Sequence, residues 1–230
     1  MVFGGIQKLT LLDYPDKTAC TVFTIGCNFN CPYCQNASLI KKETAEQAIK
    51  ASEVLDFLKT RKSLLDGVCI SGGEPLQQDD LEEFIDEVKA MGFLVKLDTN
   101  GYFPKKLEHL IKNGKPDYIA MDIKNTPEKY AKTTGLSEFD ISPVEESITI
   151  LLQSSIPYEF RTTVVREFHT ADDLTSIAGW ISGARKYCLQ GFISSDDVLQ
   201  AGLHGYPDTQ MQRFLNSIKP ILPTAQLRGT

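Results

Sequence analysis

The sequence predicts an α/β protein, an open partial (β/α)6 barrel or a doubly wound sheet. Three observations predict it. Short β-rich runs alternate with amphipathic helical stretches from one end of the chain to the other. No linker, low-complexity tract or fixed-period repeat interrupts the alternation across the 230 residues. The units number about six, short of the eight that close a barrel.

The elements follow in order. A first strand is expected over Thr18–Ile25, centred on Cys20-Thr21-Val22-Phe23. A helix is expected from Ala45 to Arg61, with Thr44 and Gln47 as a capping-box pair and Ala48, Ala51, Leu55 and Leu58 as its apolar stripe. Val68-Cys69-Ile70 reads as a strand. Asp79 and Glu82 open a helix carrying Leu81, Phe84, Ile85 and Val88, stopped by Gly92. Phe93–Leu97 is a strand, and Pro104 starts a helix with Leu107, Leu110 and Ile111 inward. Tyr118–Met121 is a strand. Ser142-Pro143-Val144-Glu145 has the residues of a helix start, with the serine as cap. Tyr158–Val165 is a strand rich in β-branched residues. Thr170 and Asp173 begin a helix with Leu174, Ile177 and Ile181 inward. Tyr187–Phe192 is the sixth strand, and a helix over Asp208–Lys219 ends at Pro220.

Composition narrows the function classes. Thirty acidic residues against 24 basic ones give a net charge of -6, which argues against nucleic acid as the main partner. Met1–Thr10 has no long apolar core of a signal peptide, and no stretch approaches the ~20 apolar residues that span a bilayer. The expectation is a cytoplasmic protein with no membrane partner. Of six cysteines, Cys20, Cys69 and Cys188 lie in apolar runs and read as buried small hydrophobes. Cys27, Cys31 and Cys34 crowd one short loop. In a reducing compartment, clustered cysteines point to a metal or cluster.

The distinctive polar groups share one property: they follow the C-terminal ends of predicted strands. Cys27–Cys34 follows the first strand. Ser71-Gly72-Gly73-Glu74-Pro75 follows the second, Asp98-Thr99-Asn100-Gly101 the third, and Asp122 with Lys124 the fourth. Arg166 ends the fifth, and Gln190 lies near the end of the sixth. Ligands bind at that edge of parallel α/β sheets. Three thiolates with no local fourth ligand fit either an iron–sulfur cluster with one open iron or a zinc site completed from a distance. Glycines at Gly72 and Gly73 let backbone come close to a ligand, and Glu74 could accept from an ammonium. Taken singly, these segments could also be a turn, a helix entry and a surface ion pair.

Cys27-Asn28-Phe29-Asn30-Cys31-Pro32-Tyr33-Cys34 resembles the C-x-x-x-C-x-aromatic-C signature of radical S-adenosylmethionine enzymes. The resemblance implies a single domain of that type over residues 1–230. It implies a [4Fe–4S] cluster on Cys27, Cys31 and Cys34, whose open iron binds S-adenosylmethionine and whose electron generates a 5′-deoxyadenosyl radical. It places Tyr33 against the adenine and Gly72, Gly73 and Glu74 at the methionine end. Asp98, Thr99, Asn100, Asp122 and Lys124 resemble segments of glycyl-radical enzyme activases, where they serve cofactor or substrate backbone, the lysine meeting the cofactor carboxylate.

Gly5-Ile6-Gln7-Lys8-Leu9-Thr10-Leu11-Leu12-Asp13-Tyr14-Pro15 is similar to the activating proteins of anaerobic ribonucleoside-triphosphate reductases, with departures at Asp16, Asn30, Gln35 and Leu189-Gln190. That similarity implies a glycyl-radical enzyme as partner, with a flavodoxin- or ferredoxin-type electron donor. The rival readings are a small-molecule radical enzyme such as a 7-carboxy-7-deazaguanine synthase, and a non-catalytic metal-binding interaction module.

Overall fold

The computed structural model describes residues 1–40, 48–195 and 197–229. The chain divides into two compact units. The first comprises residues 1–28, 38–99 and 103–120. The second comprises residues 29–37, 100–102 and 121–230.

The first unit is built on strands β1 (Val2–Thr10), β2 (Ala19–Thr24), β3 (Ile49–Lys50), β4 (Gly67–Gly72) and β5 (Leu94–Thr99), followed by β6 (Tyr118–Asp122), within which the division falls. Their order is β3-β1-β2-β4-β5-β6. β2, β4 and β5 run parallel, with Thr21 opposite Cys69 and Ile70 opposite Leu97. Central parallel strands are covered on both faces, which is why β2 and β4 read as near-continuous apolar runs and are buried almost throughout.

Helix α1 (Ala37–Ile40) is a single turn. Helices α2 (Ala51–Lys59), α3 (Leu81–Ala90) and α4 (Pro104–Lys112) belong to this unit as well. Val54, Leu58, Phe84, Ile85, Val88 and Leu107 are buried on their inward faces. Pro104 takes the first turn of α4 as expected.

Three expectations change here. The N-terminal stretch before Thr18 is a strand, and it pairs antiparallel with β2. The sheet is therefore mixed. β1 has no strict alternation because of two register shifts, one between Phe3 and Gly5 and one between Gln7 and Thr10. The helix expected from Ala45 begins at Ala51, since Ile49–Lys50 pairs with β1. The Thr44–Gln47 capping box lies outside the described residues. The α3 start is Asp80 rather than Asp79, and its side chain makes no capping bond.

The second unit continues from β6 through β7 (Tyr158–Val164), β8 (Tyr187–Gly191) and β9 (Ala225–Arg228), in that order. β7, β8 and β9 are parallel. β9 goes beyond the six expected strands. Helices α5 (Tyr130–Thr134), α6 (Ser142–Gln153), α7 (Ala171–Trp180) and α8 (Asp208–Ile218) complete the unit. The α7 capping box forms as the sequence indicates: Asp173 N donates to Thr170 Oγ1 at 3.3 Å and Thr170 N to Asp173 Oδ2 at 2.9 Å. At α6 the cap differs. Ser142 is already helical, and Asp140 Oδ1 receives both its N–H, at 3.0 Å, and its hydroxyl, at 2.6 Å.

The missed strand β1 carries core weight. Phe3 is fully buried and its ring centroid lies 4.9 Å from that of Phe84. Phe3→Ala should cost about 3–5 kcal/mol of unfolding free energy. A urea titration checks this, and a loss below about 1 kcal/mol would take β1 out of the core.

Candidate functional site

In the first unit, the ends of β2, β4 and β5 bring together most of the second and third sequence motifs. Gly72 has φ +113°, and a Cβ there would sit 2.3 Å from Thr24 N. A Cβ at Gly73 would sit 2.0 Å from Gly26 O. Gly73 N donates to Thr24 O at 2.9 Å and Glu74 N to Gly26 O at 2.8 Å. These glycines thus admit another backbone, the one leading into Cys27, where the sequence suggested close approach to a ligand.

Glu74 is fully buried. Its Oε1 accepts from Leu76 N at 3.0 Å and from Thr99 Oγ1 at 2.8 Å, capping the 3-10 turn Pro75–Gln77. Asp98 accepts from Ser71 Oγ at 3.1 Å and from Lys96 Nζ. Lys96 is fully buried, with Cys69 Sγ 3.7 Å from Nζ. The sequence reading passed over Lys96. The available signal was a lone lysine in an apolar strand two residues before an aspartate, and so on the same face. Cys27 belongs to this unit and is half-buried.

In the second unit, Cys31 is buried and Cys34 half-buried, with Cys34 N donating to Cys31 O at 3.0 Å. Several contacts fix this loop. Asn30 N donates to Thr134 O at 2.9 Å, Gln200 N to Pro32 O at 2.8 Å, and Gln35 Nε2 to Ile193 O at 2.8 Å. Gly135, at φ +71°, leaves room for Asn30 O, which would lie 2.1 Å from a Cβ. The Tyr33 ring packs among Phe168, His169 and Phe192, and its buried Oη has no hydrogen-bond partner among the described residues.

The charge that acts on the Cys31 thiol, Lys124, belongs to an ionic group. Lys124 Nζ donates to Asp122 Oδ2 at 2.9 Å, and Arg161 Nε to Asp122 Oδ1 at 2.8 Å. Burial alone would raise the Asp122 carboxyl, but the Arg161 and Lys124 charges hold it well below the usual range. Burial alone would lower Lys124. Asp122, foremost among its charged neighbours, keeps it well above the usual value. Burial pushes the Cys31 thiol up to about 11, against the Lys124 charge.

Arg161 was not singled out by the sequence. It sits inside β7, whereas Arg166, at the strand end, donates its N–H to His204 O at 2.9 Å and holds its guanidinium 5.6 Å from the Tyr206 ring centroid. Asn100 forms a local turn, its Oδ1 accepting from Tyr102 N at 3.0 Å.

Among the described residues, no group of three His, Cys, Asp or Glu side chains stands together as ligands of one metal ion. The donor types fit an iron–sulfur cluster by their chemistry: three thiols, none in a disulfide, within eight residues of sequence, with the Lys124 cation acting on the buried Cys31 thiol. No helix of the described residues is long and apolar enough to cross a membrane.

Residues 21–181 match the model of the radical SAM superfamily, and the chain belongs to that superfamily of enzymes. It is 34% identical to a Methanocaldococcus jannaschii protein provisionally named a glycyl-radical enzyme activating enzyme, over 84% of this chain and 80% of that one. It is 32% identical to a pyruvate formate-lyase-activating enzyme of Listeria monocytogenes, over 70% of this chain and 68% of that one. Streptococcus suis SuiB bound to its precursor peptide SuiA shares the fold, with a TM-score of 0.73 and 10% identity over 91% of this chain and 48% of that one. The reading as a non-catalytic module does not survive this membership.

Asp122 generates a pH prediction. Its folded-state pKa is depressed, so its contribution to stability is present above the ordinary value of 3.8 and lost as pH falls below it. Asp122→Asn in cluster-free protein should lower stability at pH 6 by about 1–3 kcal/mol. It should also flatten the acid slope of the unfolding midpoint between pH 5 and pH 3. An unchanged slope would mean the carboxylate titrates normally.

Proposed function

We propose that this chain is a glycyl-radical enzyme activase. It would reductively cleave S-adenosylmethionine and remove a hydrogen atom from a backbone glycine of a partner enzyme. The partner would be an anaerobic ribonucleoside-triphosphate reductase, and a flavodoxin- or ferredoxin-type protein of the cytoplasm would donate the electron. The observation that carries the reading is the likeness to the M. jannaschii protein, which runs through 84% of this chain and 80% of that one. The Gly5–Pro15 stretch supports the choice of reductase.

The roles divide among the residues. Cys27, Cys31 and Cys34 would hold a [4Fe–4S] cluster, leaving one iron for the cofactor's methionine amine and carboxylate. When bound, the cluster supplies the electron that breaks the cofactor's sulfonium C–S bond. Lys124 would meet the cofactor carboxylate as a point charge, held in place by Asp122. Arg161 fixes Asp122 in turn. Gly72, Gly73 and Glu74 would shape the methionine end. The Tyr33 ring would flank the adenine. Asp98, Thr99 and Asn100 would present polar groups to cofactor or to the glycine loop of the partner, which offers only backbone to recognise.

Two measurements test this. With the α-carbon of the reductase glycine deuterated, the label should appear in 5′-deoxyadenosine. Transfer from a small metabolite, with none from any glycyl-radical enzyme, would replace the activase with the small-molecule reading. Lys124→Ala should weaken S-adenosylmethionine binding about tenfold to a hundredfold, while about four irons still load on reconstitution. Unchanged affinity would make Lys124 an ordinary ion-pair partner.

A further inference from the structure

The main chain of Lys124 is held from both sides. Its N–H donates to Tyr130 Oη at 3.1 Å. Its carbonyl accepts from His169 Nε2 at 2.8 Å. Both partners are fully buried. The neighbouring residues are tied as well. Ile123 N donates to Arg161 O at 2.7 Å and Ile123 O accepts from Thr162 Oγ1 at 2.8 Å. Asn125 Nδ2 donates to Thr133 Oγ1 at 2.9 Å and Phe168 O at 3.0 Å.

Nδ1 of His169 lies 3.1 Å from Val165 N and 3.2 Å from Val165 O. Burial disfavours the charged ring, so with Nε2–H donating to the Lys124 carbonyl, the neutral ring accepts the Val165 N–H at Nδ1. Val165 O is served by His169 N at 2.9 Å. His169 stands immediately before Thr170, the N-cap of α7, and its own carbonyl accepts from Tyr206 Oη at 2.8 Å. The imidazole is thus anchored by a rigid helix start and reaches 45 residues back along the chain to one carbonyl.

We propose that His169 is a positioning residue. It holds the Lys124 backbone so that the ammonium faces the cofactor in one orientation, with Tyr130 as the opposing hold. The inference rests on the reading of Lys124 as the cofactor's carboxylate contact. A lysine carries several rotatable bonds; with the backbone held at one end and Nζ bonded to Asp122 at the other, its ammonium loses less on binding than one free to wander. An imidazole with both nitrogens committed and no solvent contact has no proton to trade, so its function is geometric.

Two amides separate the two nitrogens of the ring. The amide nitrogen of His169→Gln reaches the Nε2 position and restores the Lys124 bond. The amide oxygen of His169→Asn replaces Nδ1 and leaves the Lys124 carbonyl without its donor. Each variant loses one buried bond, so both should lower the melting temperature by similar amounts. Cofactor affinity should differ between them. In cluster-loaded protein, His169→Asn should weaken S-adenosylmethionine binding about tenfold, and His169→Gln by no more than about threefold. In cluster-free protein, the amides of residues 122–125 should exchange faster in His169→Asn than in His169→Gln.

Equal affinities for the two variants, whether both normal or both weakened, would overturn the proposal. If His169→Asn does not fold, Tyr130→Phe removes the opposing hold. It should weaken cofactor binding without reducing iron content, and unchanged affinity there would overturn the proposal too. Lys124→Ala distinguishes the two levels of failure. If it lowers affinity and the His169 pair do not differ, the positioning role alone falls. If it leaves affinity unchanged, the role of Lys124 falls and takes the positioning role with it.

Discussion

A carbonyl oxygen at Gly26 sits where the Cβ of any residue other than glycine at position 73 would be. On either side of that contact, Gly73 N bonds Thr24 O and Glu74 N bonds Gly26 O. This pair of bonds extends the β2–β4 pairing past the point where regular strands end. It holds the chain as it leaves β2 at Thr24, three residues before Cys27. It also turns Glu74 inward, and a fully buried carboxylate needs partners. The partners it finds, Leu76 N and Thr99 Oγ1, fix the turn after β4 and the end of β5. A two-glycine contact therefore positions three consecutive strand ends of the first unit.

What was legible in the sequence was local. Helix α7 is announced by Thr170 and Asp173, whose reciprocal bonds span three residues. The proline that opens α4 carries its fixed φ wherever it stands. The Cys27–Cys34 loop is legible for the same reason, since its chemistry is written within eight consecutive residues. β1 was illegible because register shifts break the alternation by which a strand is read. β9 is four residues long and too short to show a period. At Ser142 the residue type signalled a helix start correctly, but Asp140 supplies the oxygen and the boundary moves by one residue.

The holding residues were illegible for a different reason. Arg161 reaches across 39 residues to Asp122, and His169 across 45 to Lys124. Nothing in the local pattern of β7 or of the α7 entry names those destinations. The sequence names candidates for ligand contact, because their spacing resembles a family signature. It did not identify the residues that aim them, because an aiming contact is a property of the folded chain.

One regularity joins the missed residues to the found ones. Opposite charges recur two positions apart on or beside successive strands: Lys96 and Asp98, Asp122 and Lys124, Glu159 and Arg161. A spacing of two puts both members of each pair on one face. The first two pairs bond internally. Glu159 instead bonds Arg228 through both oxygens at 2.6 Å, and Arg161 bonds Asp122. A charge buried without a partner is costly, so the bonds of Glu159 and Arg161 to residues of other segments tie β7 to one register. A slip of β7 by a single residue would turn Glu159 and Arg161 to the opposite face and break both of these bonds, whereas the Lys96–Asp98 and Asp122–Lys124 bonds would move with their own segments. Glu159 and Arg161 thus impose register on β7 where an apolar run alone would tolerate sliding. Arg161, through Asp122, then serves to orient Lys124, so the device that fixes the strand also fixes the group that the proposed chemistry requires.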